Sequence, residues 1–449
     1  MDSFGFKGVT EADLASFKAG YGADPLRQAM TSALYQSDLS KLLCAPASSR
    51  DLSFKFSIDI KTMKATDQKS SGRCWLFAAA NVLREYVAKQ LNLEQFELSQ
   101  SYLAFWDKFE RCNYFFEVIL ETAELPLTDR TVNYILNDGG VSDGGQWDMF
   151  ASILRKYGVV PKDAMPETFQ SGHTGALNGV LRRFLRKYAL VLRDMVQQGA
   201  QPQTIQEKKR ELLAKCWSFL ASCYGEPPAV FDFEYVDKDG LYHRDSTLTP
   251  ISFRDKYFGG FIDDCVSLIN APTDDKPYDK LYTVKYLGNV VEDKGVRHLN
   301  LTMDELKTAV LRQLQAGEIV WFGSDCGKYG DRAAGIWDDQ TFRVELITGL
   351  DEDMSKKDML DSCESRMNHA MCLTGVNIGE DGKPNRWKIE NSWGTDRLYD
   401  GYFMASDSWF DRFVYQAVVH KKYLGEKAAI FDTEPIVLEP WDPIGSLAD

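Results

Sequence analysis

The spacing of apolar positions changes several times along the chain. Phe54, Phe56, Ile58 and Ile60 alternate with polar residues and predict a half-buried strand, after an opening stretch that reads as short helices. From Cys74 to Gln90 the period lengthens. Phe77, Ala78, Val82, Tyr86 and Val87 fall on one helical face, with Gly72 just before the start, so Cys74 sits in the first turn of a helix. The run WDMFASILRKYG predicts another helix behind a glycine-rich turn. Residues 175 to 224 predict two amphipathic helices, one carrying Leu177, Leu181, Phe184, Leu185, Tyr188 and Leu192, the other Leu212, Leu213, Cys216, Leu220 and Cys223. Gly199 and Pro202 part them. The turn-rich stretch from 225 to 300 predicts strands and loops projecting from those helices. A helix returns at Thr302, where Glu305 completes a capping box and Gly317 closes the element. Strands are then predicted to dominate to about 423, in IVWFGSD, HAMCLTGVNI, RWKIENSW, GYFMAS and YQAVVHKKYL.

Composition narrows the class. The 449 residues are 44% hydrophobic and 12% aromatic, a folded composition with ample core. At roughly 100 to 200 residues per domain the length suggests two to four units or one elaborated fold. A formal net charge of −14 argues against nucleic-acid binding, because the global field repels phosphates. The acidic opening MDSFGFKGVTEADL lacks the pattern of a signal peptide, and no apolar run approaches the length of a membrane span. Nine cysteines, odd in number and without a C-x-x-C pair, read as reduced, cytoplasmic usage and argue against thiol-held metal. No cofactor or metal is expected.

One cysteine has chemical company. In TDQKSSGRCWLFA, Gln68 precedes Cys74 by six residues, and the small Ser70, Ser71 and Gly72 permit close backbone approach. A free thiol has a pKa near 8.5, but a helix N-terminus and a nearby imidazolium can lower it to about 3 to 4. Cys74 thus reads as a nucleophile. The Gln68 amide and the Cys74 backbone N–H are expected to form an oxyanion hole. Of the five histidines (173, 243, 298, 369 and 420), His369 is the candidate base. It opens a strand-like run, and 22 residues later Asn391 in ENSWG can fix its tautomer while Trp393 shields the pair from water. The other four read as structural or surface residues. Gly144 and Gly145, in SDGGQWD, can offer bare backbone to an extended substrate, or form an ordinary turn.

These segments resemble papain-type cysteine peptidases. TDQKSSGRCWLFA, DGGQWDM, VWFGSDCGKYGDR, NHAMCLTGV, WKIENSWG and PWDPIGSLA, in that order, are similar to the bleomycin hydrolase and aminopeptidase C branch from end to end. The resemblance implies an α+β papain-like fold, with a helical half carrying Cys74 and a β-barrel-like half carrying His369 and Asn391. A large helical and hook-like insertion assembles six subunits into a ring in that family. The expected division is an N-terminal segment (1–65), the nucleophile half (66–165), the insertion (166–299), the His and Asn half (300–425) and a tail entering the cleft (426–449). Two departures stand out. Ser71 replaces the disulfide-forming cysteine usual in secreted relatives, and the tail has Ile444, Ser446 and an added Asp449 where the family often ends WDPMGALA.

The implied function is a cytoplasmic aminopeptidase of broad specificity acting on short peptides through a Cys74 thioester. Ala448 and Asp449, on a proline-stiffened tail expected to run extended, are placed against the substrate's free amine. Competing readings are an endopeptidase on the same fold, a thiol acyltransferase with the same triad, and a nucleic-acid-binding ring with incidental peptidase activity.

Overall fold

A computed structural model describes residues 5, 7–45, 52–138, 140–396 and 398–448. Two layers meet around the segment that begins at Cys74. The helix Cys74–Leu91 buries nearly its whole length, from Cys74 through Arg84 and again at Val87 and Ala88, because helices cover one side and a sheet the other. On the helical side stand Gln100–Glu121, Trp147–Tyr157, Gly175–Gln197 and Pro202–Tyr224, sharing one apolar core with it. Leu177, Leu181, Leu185, Leu192, Leu212, Cys216 and Leu220 are buried there, on the faces their spacing predicts. Pro202 is the first residue of its helix, where its missing N–H costs nothing.

On the other side lies a twelve-stranded sheet, counted among the described residues. At its centre run Val414–His420, Val320–Ser324, His369–Ile378 and Pro384–Glu390 as antiparallel neighbours. The nucleophile helix is tied to this sheet. The Cys372 thiol donates to the Ala78 carbonyl at 3.2 Å, and the Trp321 indole N–H donates to the Trp75 carbonyl at 3.2 Å. A second apolar core, with Trp387, Phe403, Trp409 and Phe410, fills the sheet's far face beneath Met303–Gln315. That helix has the predicted Thr302/Glu305 capping box, with Gly317 at φ +74° beyond its end.

Several elements differ from expectation. The strand predicted over Phe54–Ile60 is reduced to Ile58–Asp59, paired with the strand His369–Ile378, although alternate residues from 54 to 60 are half-buried. The 225–300 region divides. Phe231–Val236 and Tyr242–Leu248 form a separate hairpin, whereas Cys265–Ile269, Lys280–Val284 and His298–Asn300 extend the large sheet. His298 is therefore buried in that sheet, not near a polar turn. Short helices Val344–Thr348, Lys356–Asp361 and Asp407–Phe413 interrupt the stretch read as strands. The tail is extended only in parts. Ile436–Leu438 pairs in parallel with Lys280–Val284, and then Asp442 caps a single 3-10 turn, Pro443–Gly445, which proline at the first position favours.

Candidate active site

Cys74 is the first residue of its helix and fully buried. The backbone N–H of Ala370 donates to its Sγ at 3.4 Å, which brings the start of the His369 strand against the thiol. The imidazole of His369 is buried, and its Nε2 lies 2.9 Å from Asn391 Oδ1. That oxygen also accepts the Ser392 N–H at 2.8 Å, so it acts as an acceptor and His369 Nε2 must carry the proton. The neutral tautomer so fixed leaves Nδ1 with a free lone pair. Trp393 stacks on the imidazole, ring centres 5.1 Å apart, and Arg332 places its guanidinium 5.0 Å from the Trp393 ring centre. Burial lowers the His369 pKa to about 4; the nearby Arg332 charge pushes the same way, against the Asn391 hydrogen bond. Burial thus favours the neutral ring over the imidazolium.

Gln68 bridges the two halves. Its amide N–H donates to the Ser71 carbonyl at 2.5 Å, and its amide oxygen accepts the Ser392 hydroxyl at 2.6 Å. The Gln68 backbone N–H donates to the Ser392 carbonyl at 2.9 Å. One amide hydrogen is thereby used in orienting the group, and the second has no acceptor among the described residues. The loop between Gln68 and Cys74 is braced from outside. Ser70 N–H donates to the Gly172 carbonyl at 2.9 Å, Arg73 makes a two-pronged pair with Glu167 at 2.8 and 3.1 Å, and Gly72 N–H donates to Asp143 at 3.1 Å. Burial alone would raise the Asp143 pKa, but the Lys108 charge and hydrogen bonds from Lys108, Thr174 and Asn178 hold it far below the usual carboxylate range. It is a fixed anion under the loop.

The two glycines have different positions. Gly145 exchanges both backbone hydrogen bonds with Ala448, N–H to carbonyl 3.0 Å and carbonyl to N–H 3.2 Å, as an antiparallel pair. It also lies flat on Trp75, where an added Cβ would come within 2.4 Å of the indole. Gly144 turns its carbonyl to the Arg111 guanidinium at 2.5 Å, held in turn by Asp107, so this bond faces inward. Ala448 is fully buried. Asp449 lies outside the described residues.

Sequence reasoning missed three contributors. Gln146 donates its side-chain N–H to the Ser446 carbonyl at 2.6 Å, anchoring the tail, and only its place inside DGGQWDM hinted at this. Arg84 pairs with Glu390 at 2.6 Å, both buried, with Asn81 donating to the same oxygen at 2.9 Å. This locks the nucleophile helix to the strand that delivers Asn391, and a charged residue inside a helix gave no signal of it. The third is Arg332. Among the other histidines, His298 bonds Ser267 at 2.8 Å, His243 pairs with Asp237, His420 lies 3.7 Å from Asp264, and His173 stacks on Phe169.

A thiol at a helix start, an imidazole oriented by an asparagine on the strands beside it, and a side-chain amide bonded to both Ser71 and Ser392 make up the machinery of a papain-like cysteine peptidase. The chain belongs to the Peptidase C1-like family, whose model matches residues 8–445. It is 45% identical over 446 residues to aminopeptidase C of Lactobacillus delbrueckii subsp. lactis, covering 98% of this chain and 99% of that one. Identity to aminopeptidase C of Listeria monocytogenes serovar 1/2a is 43% over 441 residues, with 98% and 99% covered. The crystal structure of PepW from Lactobacillus rhamnosis superimposes with a TM-score of 0.95 at 46% identity, covering 98% of this chain and 99% of that one.

Proposed function

We propose that this protein removes N-terminal residues from peptides as a cysteine aminopeptidase, with Cys74 as nucleophile, His369 as base and then acid, Asn391 orienting it and Gln68 stabilising the oxyanion. His369 takes the thiol proton as sulfur attacks the scissile carbonyl, then returns it to the leaving amine. Water, deprotonated by the same imidazole, attacks the thioester and releases the acid and the thiol. No metal or organic cofactor enters these steps.

One observation carries the choice of aminopeptidase over endopeptidase. Ala448 pairs with Gly145 as a strand, on the residue that flanks Trp75, next to the nucleophile. The chain's own tail thus lies where residues preceding the scissile bond of a longer peptide would have to run, and only a substrate with little or nothing on that side fits. The relatives named aminopeptidase C agree with this reading. Gly145 serves as the backbone strand of the cleft, and Gly144 holds its geometry through Arg111.

The proposed division is a nucleophile half from 66 to 165, an insertion beginning near 166, a sheet half carrying His369 and Asn391, and a tail from 426. The proposed assembly is a hexamer working in the cytoplasm. Two N-terminal helices, Glu11–Ala23 and Pro25–Gln36, bury no residue of their own and expose Leu14, Phe17, Tyr21, Leu26 and Tyr35, an apolar surface suited to a neighbouring subunit. Light scattering should give six times the 50.9 kDa chain mass. The catalytic reading is tested by Cys74→Ser. Hydrolysis of free-amino peptides should vanish while assembly persists, and a variant that keeps its rate would remove Cys74 from the mechanism.

A further inference from the structure

Arg332 is exposed, stands at the tip of the hairpin Gly330–Asp331 and Ile336–Trp337, and makes no hydrogen bond or ion pair among the described residues. Its guanidinium lies over the face of Trp393. The tip is not loose: Asp331 Oδ1 accepts the N–H groups of both Ala333 and Ala334 at 3.0 Å. Asp67, which bridges to Trp393, is paired with Lys69 at 2.5 Å. Among the described residues the guanidinium is stacked in place without a paired carboxylate.

Its position relative to the reaction gives it a use. The tail, held at Gly145 and Gln146, closes the side of the cleft that precedes the scissile bond. The leaving amine must receive its proton from His369, so the departing portion of the peptide lies beyond the imidazole, across the Trp393 ring stacked on it. Two successive ring contacts, 5.1 and 5.0 Å, place the guanidinium carbon no more than about 10 Å from the imidazole centre. An extended residue spans about 3.3 to 3.6 Å. A leaving group of one or two residues thus brings its C-terminal carboxylate within hydrogen-bond reach of Arg332.

We propose that Arg332 is a specificity residue that binds the C-terminal carboxylate of di- and tripeptide substrates, stacked for the purpose on Trp393. This rests on the aminopeptidase reading and adds a substrate class to it. The fork of a guanidinium matches a carboxylate, and stacking on an aromatic ring leaves its edge free to donate.

The test compares a dipeptide and a tripeptide, each as the free acid and as the C-terminal amide, all with a free amino terminus. The wild-type protein should favour the acids in kcat/KM by about five- to tenfold, an amount fitting one exposed charge-assisted pair. Salt should erode the preference, since the site is open to solvent. Arg332→Gln should abolish it and Arg332→Glu reverse it, whereas Arg332→Lys should keep part. An equal loss on acids and amides, the mark of a charge acting only on His369, would overturn the proposal, as would a wild-type ratio near one. If the wild-type protein cleaves none of the four, the aminopeptidase reading itself fails and this inference falls with it.

Discussion

Deleting residues Gly445 to Asp449 should turn the protein into one that accepts N-terminally blocked peptides. Three hydrogen bonds hold the end of the tail in the cleft: the two between Gly145 and Ala448, and the one from Gln146 to Ser446. At about 1 kcal/mol net for each, the tail is bound by roughly 3 kcal/mol. With about 1.4 kcal/mol per factor of ten, the cleft is open in roughly one molecule in a hundred. Removing the segment makes it open always, so kcat/KM for an N-acetylated peptide should rise about a hundredfold. The rest of the tail should stay docked, because the Ile436–Leu438 strand, the stack of Arg130 on Trp441 and the Lys276–Asp442 pair all precede the cut. Trimming Asp449 alone leaves the three bonds intact and serves as the control, with no gain expected. The assay is hydrolysis of matched acetylated and free peptides, normalised to thiol titrated by iodoacetamide. If the five-residue deletion still rejects blocked peptides as strongly as the full chain, the tail is not the specificity element.

Gln68→Ala should slow acylation by about 10² to 10³ in single-turnover kinetics, the usual loss for one oxyanion donor, and Asn391→Ala should cost less than His369→Ala because the imidazole still samples its working orientation. Arg84→Ala leaves the Glu390 carboxylate buried without its cation and should lower unfolding free energy by about 3 to 5 kcal/mol in denaturant titrations; an effect under 1 kcal/mol would show that the pair does not join helix to strand. Burial lowers the pKa of His298 to about 3 and of His369 to about 4, so below pH 6.5 the unfolded chain binds protons that the folded one refuses. Stability is then highest above pH 6.5 and should fall by about 1.4 kcal/mol per pH unit for each histidine as pH drops towards 4. His298→Asn should flatten that slope in urea titrations at pH 7 and 5.5, and an unchanged slope would refute the assignment.

What could be read in advance follows from how locally each feature is encoded. The nucleophile helix and the paired insertion helices announce themselves because 3.6-residue spacing is written within each segment. That Cys74, His369 and Asn391 come together was legible for another reason: acyl transfer calls for those residue types, and only one histidine begins a strand-like run with an Asn–Ser–Trp beyond it. The fate of 265–300 was not legible. Cys265–Ile269 reads as a buried strand of any sheet, and its assignment to the large one depends on Val414–His420, nearly the length of a domain away in sequence. Proline count suggested an extended tail, yet Pro443 suits the start of a 3-10 turn equally well, and the Asp442 cap decides between them. Arg332 in CGKYGDR looks like any solvated turn residue until Trp393 is placed beneath it.

The residues from 167 to 178 do more in this chain than begin the long helices. They grip the loop that aims the nucleophile: Glu167 neutralises buried Arg73, Gly172 accepts from Ser70, and Thr174 and Asn178 fix the Asp143 carboxylate that holds Gly72. Two of these contacts reach the residues between Gln68 and Cys74 directly, and the other two act through an anion that also carries, on its backbone, the carbonyl bound by the Trp75 indole at 2.6 Å and leads directly into Gly144 and Gly145. One buried carboxylate therefore sets both the position of the loop before the thiol and the start of the strand that receives Ala448. A displacement of the Gly175–Gln197 helix would reach oxyanion hole and substrate strand together through Asp143. Whatever contacts hold that helix from outside act on the site by the same short path.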